Sequence, residues 1–266
     1  VGHGGKLAPL VIPNGLTNGT GLMNPSIFVE DEEILVNLRH VNYTLYHAEN
    51  QQQFPSRWGP LSYLHPEKDQ RLATENYVCR LNSDLQIEQF AHVDMLSLHT
   101  PIWEFHGLED ARIVKWSGKY YLIGVRRDTT SNGQGRMEYS EIDISWPTVK
   151  EVSRVRIPAP DLDSSYCEKN WAPVLDRPYH FIKWTMPTEL VYAYPDKSEC
   201  YTVFTKPTPS PDKDQRGSSQ VLKWGSMYIS ITHEVDLFKN YLEQKDAIYR
   251  HRLVIWDEEF NFVGMS

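Results

Sequence analysis

A hairpin recurs four times along this 266-residue chain, and that recurrence constrains the fold more than any other feature of the sequence. One copy runs from Asn24-Pro25-Ser26-Ile27-Phe28-Val29 through a turn at Glu30 to Glu33 and back along Ile34 to Arg39. The second runs from Glu109-Asp110-Ala111-Arg112 to Trp116, turns at Ser117-Gly118 and returns along Tyr120 to Arg127. The third pairs Lys169-Asn170-Trp171-Ala172-Pro173-Val174 with His180 to Trp184, and the fourth pairs Gly217 to Lys223 with Tyr228 to His233. Each copy has a polar start, an apolar strand, a tight turn and a second strand ending in a polar or basic residue. Between them lie hairpins of another kind, at Tyr77 to Gln86, Met137 to Val149 and Tyr249 to Phe262. A lone hairpin cannot bury both of its faces, whereas four-stranded blades stacked around an axis can. The spacing therefore predicts an all-β propeller, with a β-sandwich of coincidentally similar hairpins as the alternative.

The rest of the chain agrees with strands and loops. Short apolar runs are bounded by Gly, Pro, Asp or Ser, and only Val93 to Leu98 and Leu237 to Ile248 read as helical. Gln51 to Asp69 and Lys206 to Arg216 read as surface loops. No stretch approaches the roughly 18 apolar residues of a membrane span. With 27 basic against 35 acidic residues the net charge is -8, which counts against a nucleic-acid backbone as the main partner. It leaves room for a small anion held by a few local arginines. Cys79, Cys167 and Cys200 form no CxxC and no Cys/His cluster, so neither a disulfide framework nor a bound metal is expected, and the odd count favours a reducing, cytoplasmic compartment. The expectation is one domain over residues 1–266, a module of a longer chain being allowed by the start at Val1. Oligomeric state is not legible. Aromatics make up 12% of the chain; they suit pleated sheets and equally a cleft where flat rings stack on sugars.

In a propeller the polar ends of the innermost strands converge on an axial funnel. Asn24, Arg39, Asp110, Arg112, Arg127, Lys169 and His233 all occupy such ends. A carboxylate at Asp110 with an arginine two residues on suits a general acid beside a phosphate-holding cation, or else a turn carboxylate paired structurally with Arg112. Lys169, Asn170 and Trp171 supply a point charge, an amide and a stacking face, or else a polar turn with Trp171 in the core. His233, Arg39, Arg126 and Arg127 are strand-end groups that either face the funnel or are simply solvated.

Gly107-Leu108-Glu109-Asp110-Ala111-Arg112 resembles the GxEDPR segment of the β-mannoside phosphorylases, glycoside hydrolase family 130. Asn24-Pro25 with Arg39, Glu168 to Pro173, and the Gly217 to His233 unit are similar to further segments of that family, in the same order, from about residue 20 to the end. The resemblance implies a five-bladed propeller acting on β-mannosides, most often as an inverting phosphorylase, with hydrolases and mannosyltransferases among its relatives. It implies Asp110 as the catalytic acid, with Arg39, Lys169 and His233 in the ring that binds phosphate and sugar. Ala111 in place of proline, Ser218-Ser219-Gln220, Glu234 after His233, and Tyr249-Arg250-His251-Arg252 depart from the pattern and mark a divergent branch.

An inverting hydrolase needs two carboxylates roughly 6.5–9.5 Å apart. A phosphorylase needs one acid and several cations, because phosphate is already a nucleophile. The expected activity is therefore transfer of a glycosyl unit, mannosyl by resemblance, with inversion, phosphate or a sugar phosphate being the co-substrate and no cofactor being required. Asp110 would be the acid, and Arg39, Arg112, Arg127, Lys169 and His233 would hold phosphate. Asn24, Asn170 and Trp171 would hold the sugar, with Glu109 among the binding residues. The alternatives are a glycosyltransferase module of polysaccharide synthesis and a propeller that binds glycan without turning it over.

Overall fold

The computed structural model describes residues 8–17, 21–46, 51–160, 165–210 and 212–266. Among them there is no α-helix, and four antiparallel meanders, three of four strands and one of five, account for nearly all the strand. Blade 1 consists of Leu22–Glu30, Glu33–Val41, Leu72–Leu81 and Ile87–Asp94, and blade 2 of Leu108–Trp116, Lys119–Arg126, Arg136–Ser145 and Thr148–Arg156. Blade 3 consists of Ala172–Pro173, His180–Trp184, Thr188–Ala193 and Cys200–Lys206. In blade 4 the short strands Arg216–Gly217 and Leu222–Trp224 both pair with Met227–Lys239, which is followed by Lys245–Asp257 and Phe262–Met265. Each recurring hairpin of the sequence is the inner pair of a blade. The interspersed hairpins are outer pairs, and the outer pair of blade 3, joined over Thr188 to Lys206, carries no comparable signal.

The blades stack because each sheet has two apolar faces to cover. Phe28, Leu35 and Val78 of blade 1 meet Ile113, Leu122 and Ile142 of blade 2. Trp116, Tyr121 and Tyr139 meet Trp171, Phe181 and Val191 between blades 2 and 3. Ile182 and Leu190 meet Tyr228, Val254 and Trp256 between blades 3 and 4, where Trp256 Nε1 donates to Thr188 Oγ1 at 2.9 Å. Burying each such side chain is worth about 1.5–3 kcal/mol, so the three seams dominate the fold. The far face of blade 1 is covered by Leu10 and Leu16. On the far face of blade 4, register places Leu222, Trp224, Ile231 and Leu253 together, and all four are exposed.

Both helical expectations are corrected. Val93 lies in a strand because it pairs in parallel with Val149, joining the outer edges of blades 1 and 2. Leu237 to Ile248 is the tip of a long hairpin, its register unbroken from Met227↔Asp257 to Lys239↔Lys245. Asn240 makes the turn, its Oδ1 accepting from the backbone N–H of Leu242 and Gln244 at 2.9 and 3.2 Å. A continuous ladder plus an Asx turn outcompetes a weak helical stripe.

The inner strands of blades 1 and 2 share one irregularity. Register slips between Met23 and Ser26, and again between Glu109 and Arg112. These bulges put Asn24 and Asp110 at φ 46° and 53°, and the matching position of blade 3, Asn170, sits at 63°. Asn and Asp tolerate this left-handed conformation better than other side chains, and a bulge re-aims the side chain that follows from it. Gly124 lets the second bulge form: a Cβ there would lie 2.4 Å from Glu109 O and 3.1 Å from Ala111 Cα. Gly124→Ala should therefore destabilise by about 1–3 kcal/mol in urea unfolding. Gly264→Ala, where the Cβ meets nothing within 4 Å, should stay within about 0.5 kcal/mol of the parent; equal losses would contradict this account of the bulge.

Candidate active site at the axial end of the blades

The bulge of blade 2 brings Glu109 and Asp110 to Arg39, which stands opposite Met23 at the end of the second strand of blade 1. Arg39 Nη1 donates to Asp110 Oδ1 at 2.6 Å, and Asn24 Nδ2 donates to the same oxygen. The remaining donors of Arg39 are directed elsewhere: Nε and Nη2 reach Thr74 Oγ1 at 3.2 and 3.0 Å. Glu109 Oε2 lies 3.6 Å from Nη2, beyond a good hydrogen bond. The backbone carrying the two carboxylates is pinned on both sides. Asn37 Nδ2 donates to Ala111 O at 3.0 Å and Asn76 Nδ2 to Leu108 O at 2.9 Å, both from the buried interior of blade 1. Upstream, the Gly107 N–H donates to Asp128 Oδ2 at 2.8 Å, and Asp128 belongs to a buried ion network with Arg126 and Glu138.

These contacts separate the two carboxyls electrostatically. Burial raises the Asp110 pKa, but Arg39 and the Asn24 amide outweigh it and hold the group below the usual carboxylate range. Glu109 is pushed up by burial, with the charge of Asp110 adding to the effect, while Arg39, Arg127 and Lys169 offset only part of it. Burial opposes the charge on Arg39, and Asp110 and Glu109 reverse that effect, leaving the guanidinium above its ordinary value. Tyr43, half-buried beside Glu109, is raised to about 12 by desolvation and then by the charge of Glu109.

Several expected residues are placed here, two of them with a different job. Arg127 is half-buried, donates to Gly133 O and Tyr166 Oη at 3.0 Å, and lies over the rings of Trp58, Phe105 and Tyr166. Lys169 is exposed, and Asn170 beside it is half-buried. Arg112 is a correction. It is 4% exposed, and its guanidinium donates to Ser218 O, Trp171 O and Gly217 O at 2.9, 3.0 and 2.6 Å, so its donors join blades 2, 3 and 4 instead of waiting for phosphate. Burial brings its pKa down to about 10, which still leaves it charged at neutral pH. Trp171 is likewise corrected from sugar platform to core: it is 1% exposed, packs on Phe181 and donates to Glu168 Oε2 at 3.0 Å.

The expected strand-end position of His233 is corrected: it lies midway along Met227–Lys239, paired with Arg216 on one side and His251 on the other, with Nδ1 2.7 Å from Ser218 Oγ. Burial, then the charges of Arg112, Arg216 and His251, push its pKa down to about 4, so the ring is neutral and shares a hydrogen bond with the Ser218 hydroxyl. Thr74, Ser218 and two tyrosines were not legible as site residues. Tyr249, on the long hairpin of blade 4, meets the Tyr46 hydroxyl of blade 1 at 2.9 Å; both are part-exposed loop or arm residues without a distinguishing neighbour in sequence. Gln220 closes the inner end, its Nε2 donating to Ile27 O and Ile113 O at 2.9 and 2.8 Å.

Arg112→Met should cost about 3–5 kcal/mol in denaturant unfolding, since it strips donors from three carbonyls and removes a buried cation near Asp110; a loss below about 1 kcal/mol would contradict the tie between blades. For His233 the sign follows from its depressed pKa. Between about 4 and the unfolded value of about 6.5 the unfolded chain binds more protons. The stability it contributes is complete above about pH 6.5 and is lost as pH falls towards 4. Folding free energy should thus fall less steeply over that window in His233→Gln than in the parent, and identical slopes would contradict the assignment.

No protein-family model matches the chain, and no curated protein matches it significantly in sequence. Solved structures do match in fold. A β-1,2-mannobiose phosphorylase from Listeria innocua aligns with TM-score 0.52 and 12% identity over 96% of this chain and 78% of that one. A glycosyl hydrolase from Bacteroides ovatus aligns with TM-score 0.54 and 8% identity over 92% and 70%. A structure from a study of the family 130 mannoside phosphorylases, described as containing glycoside hydrolases that target β-1,2-mannosidic linkages in Candida mannan, aligns with TM-score 0.50 and 10% identity over 92% and 70%. The chain has the propeller fold of these carbohydrate-active proteins.

Proposed function

We propose that the chain is a divergent, family-130-like enzyme that transfers a mannosyl unit with inversion, using phosphate or a phosphate-bearing sugar as co-substrate. The observation that carries the reading is the composition of the axial end: two carboxylates, Glu109 and Asp110, share Arg39, while Arg127 and Lys169 act electrostatically on Glu109 from blades 2 and 3. Cations beside an acid are what phosphorolysis demands. An oxygen of phosphate attacks C1 of the sugar as the bond from C1 to the leaving oxygen breaks, and that oxygen needs a proton. The attacking phosphate carries charge that Arg39, Arg127 and Lys169 are placed to balance. Neutral His233 presents a hydrogen-bonding ring at the same end, and Asn24 and Asn170 present amides suited to sugar hydroxyls. Glu109 also supplies the second carboxylate that a hydrolase would require, so hydrolysis is the outcome to test against.

The test is release of sugar 1-phosphate from a panel of β-mannosides in phosphate buffer, beside a phosphate-free control. The expected result is product that requires phosphate and falls by at least about 100-fold in Asp110→Asn, with sugar affinity retained. Equal turnover without phosphate would replace the phosphorylase with a hydrolase. No product in either buffer would contradict both for that panel and leave nucleotide-sugar transfer or silent glycan binding.

A further inference from the structure

Blades 1 and 4 depart from the pattern of the other two at one place, the connection between their second and third long strands. In blade 1 the chain leaves at Val41 and returns at Leu72, and between them Tyr43–Thr44 pairs with Ser62–Tyr63. In blade 4 the hairpin runs on as the arm, its two strands of 13 residues each being longer than any other strand among the described residues. Both additions stand at the axial end, since each follows a strand that runs past Arg39 or His233. The blade 1 addition is a firm wall. Phe54 and Leu61 exchange backbone hydrogen bonds at 2.8 and 3.0 Å, and Ser56 Oγ donates to Gly59 O at 2.6 Å. Phe54, Trp58 and Tyr63 pack on buried Leu61, Leu72 and Phe105. Two contacts hold the arm against this wall: the hydroxyls of Tyr46 and Tyr249 meet at 2.9 Å, and Lys245 Nζ lies 5.0 Å from the centre of the Tyr46 ring.

A groove lies between the two additions. Leu45, Trp58 and Pro60 give it apolar surface, and Gln53, Gln244 and Lys245 set amides and an ammonium along it. That mixture suits sugars, whose apolar C–H faces are ringed by hydroxyls, better than it suits an apolar helix, which needs an unbroken hydrophobic trough. The groove meets the axial end on two sides. Tyr46 lines it and lies close enough to Asp110 for that charge to act on the Tyr46 hydroxyl; the ring of Tyr249 beyond is 5.9 Å from that of His233. Trp58 also lines it, and the Arg127 guanidinium stands 5.9 Å from its ring. We infer that this groove holds the sugars beyond the bond that reacts, so that the substrate is a glycan of three or more units, its terminal sugar at the axial end and the rest between the arm and the blade 1 loop. What reacts rests on the reading under Proposed function; the inference adds where the remainder of the substrate lies and which elements select for its length. Connections between strands are where a rigid scaffold carries such selectivity. Because the blade 1 wall is already hydrogen-bonded and packed, little conformational freedom is lost when a glycan enters.

The test is calorimetric titration of the whole chain, in phosphate-free buffer, with β-mannooligosaccharides from the disaccharide to the pentasaccharide. Affinity should rise by at least about tenfold between the disaccharide and the tetrasaccharide. Gln53→Trp, at an exposed position where a large ring obstructs the groove, should remove that rise and leave the disaccharide within about twofold of the parent. Lys245→Ala should weaken the tetrasaccharide by about fivefold, the worth of one hydrogen bond, and again spare the disaccharide. A disaccharide that binds with no gain from added units, or a gain that survives Gln53→Trp, would overturn the inference. Cello- and xylo-oligosaccharides of the same lengths, titrated in parallel, separate this failure from failure of the functional reading. If no mannoside binds but another series shows a gain that Gln53→Trp removes, the mannosyl assignment fails and the groove stands as a glycan site. If no series binds at any length, the groove assignment falls, whatever the phosphorolysis assay gives.

Discussion

The guanidinium of Arg112 is the point on which the axial end of this propeller depends. It sits on the inner strand of blade 2, is almost wholly buried, and donates to backbone carbonyls of residues 171, 217 and 218. Removing such a cation from water carries a penalty of several kcal/mol, and three charge-assisted hydrogen bonds together with the nearby Asp110 carboxylate offset it. The consequence is geometric. Blades 3 and 4 are held at fixed positions relative to the bulge in blade 2, and Gln220 performs the same service between blade 4 and blades 1 and 2. Gly217 allows the close approach, since a Cβ there would lie 2.3 Å from Asn170 O.

That rigidity is what allows a site to be assembled from single residues of different blades. The bulges turn Asn24 and Asp110 into left-handed conformations, and conformations of that kind persist only where their surroundings over-determine them. Here the surroundings are explicit: Asn37 and Asn76 hold the flanking carbonyls, Asp128 holds Gly107, and Arg39 with Asn24 holds the Asp110 carboxylate. Asp110 is thus a structural anion whose side chain still keeps part of its surface exposed. The same placement leaves Glu109 short of donors, so one arginine divided unequally between two carboxylates pushes their proton affinities in opposite directions, Asp110 down and Glu109 up.

The propeller was legible because a hairpin with two apolar faces has few ways to bury them, and the repeated polar-apolar-turn pattern marked every inner pair; the described residues form four blades, not the five that the resemblance implies. The outer pair of blade 3 escaped notice because Thr188 to Lys206 alternates weakly, and the blade 4 arm read as helical because its apolar residues, Leu237, Phe238, Tyr241 and Ile248, remain exposed and do not report a buried face. Site residues were legible by position and not by role. A strand-end arginine looks the same whether its donors meet side chains and a loop, as for Arg39 and Arg127, or three backbone carbonyls, as for Arg112. Trp171 beside a lysine and an asparagine suggested a platform, yet the seam between blades 2 and 3 needed a large ring there. Thr74, Tyr46, Ser218 and Tyr249 enter through contacts across blades, which spacing along the chain does not encode.

The central claim is that the axial end is a glycosyl-phosphate site. A crystal structure of the chain soaked with mannose 1-phosphate tests it most directly. The account predicts the phosphate within hydrogen-bond distance of at least two of Arg39, Arg127, Lys169 and His233, with the C1 oxygen facing Glu109 and Asp110, and with Arg112 still bound to its three carbonyls. Mannose 1-phosphate absent from this end, or bound with its phosphate on Arg112 and the contacts between blades broken, would contradict it.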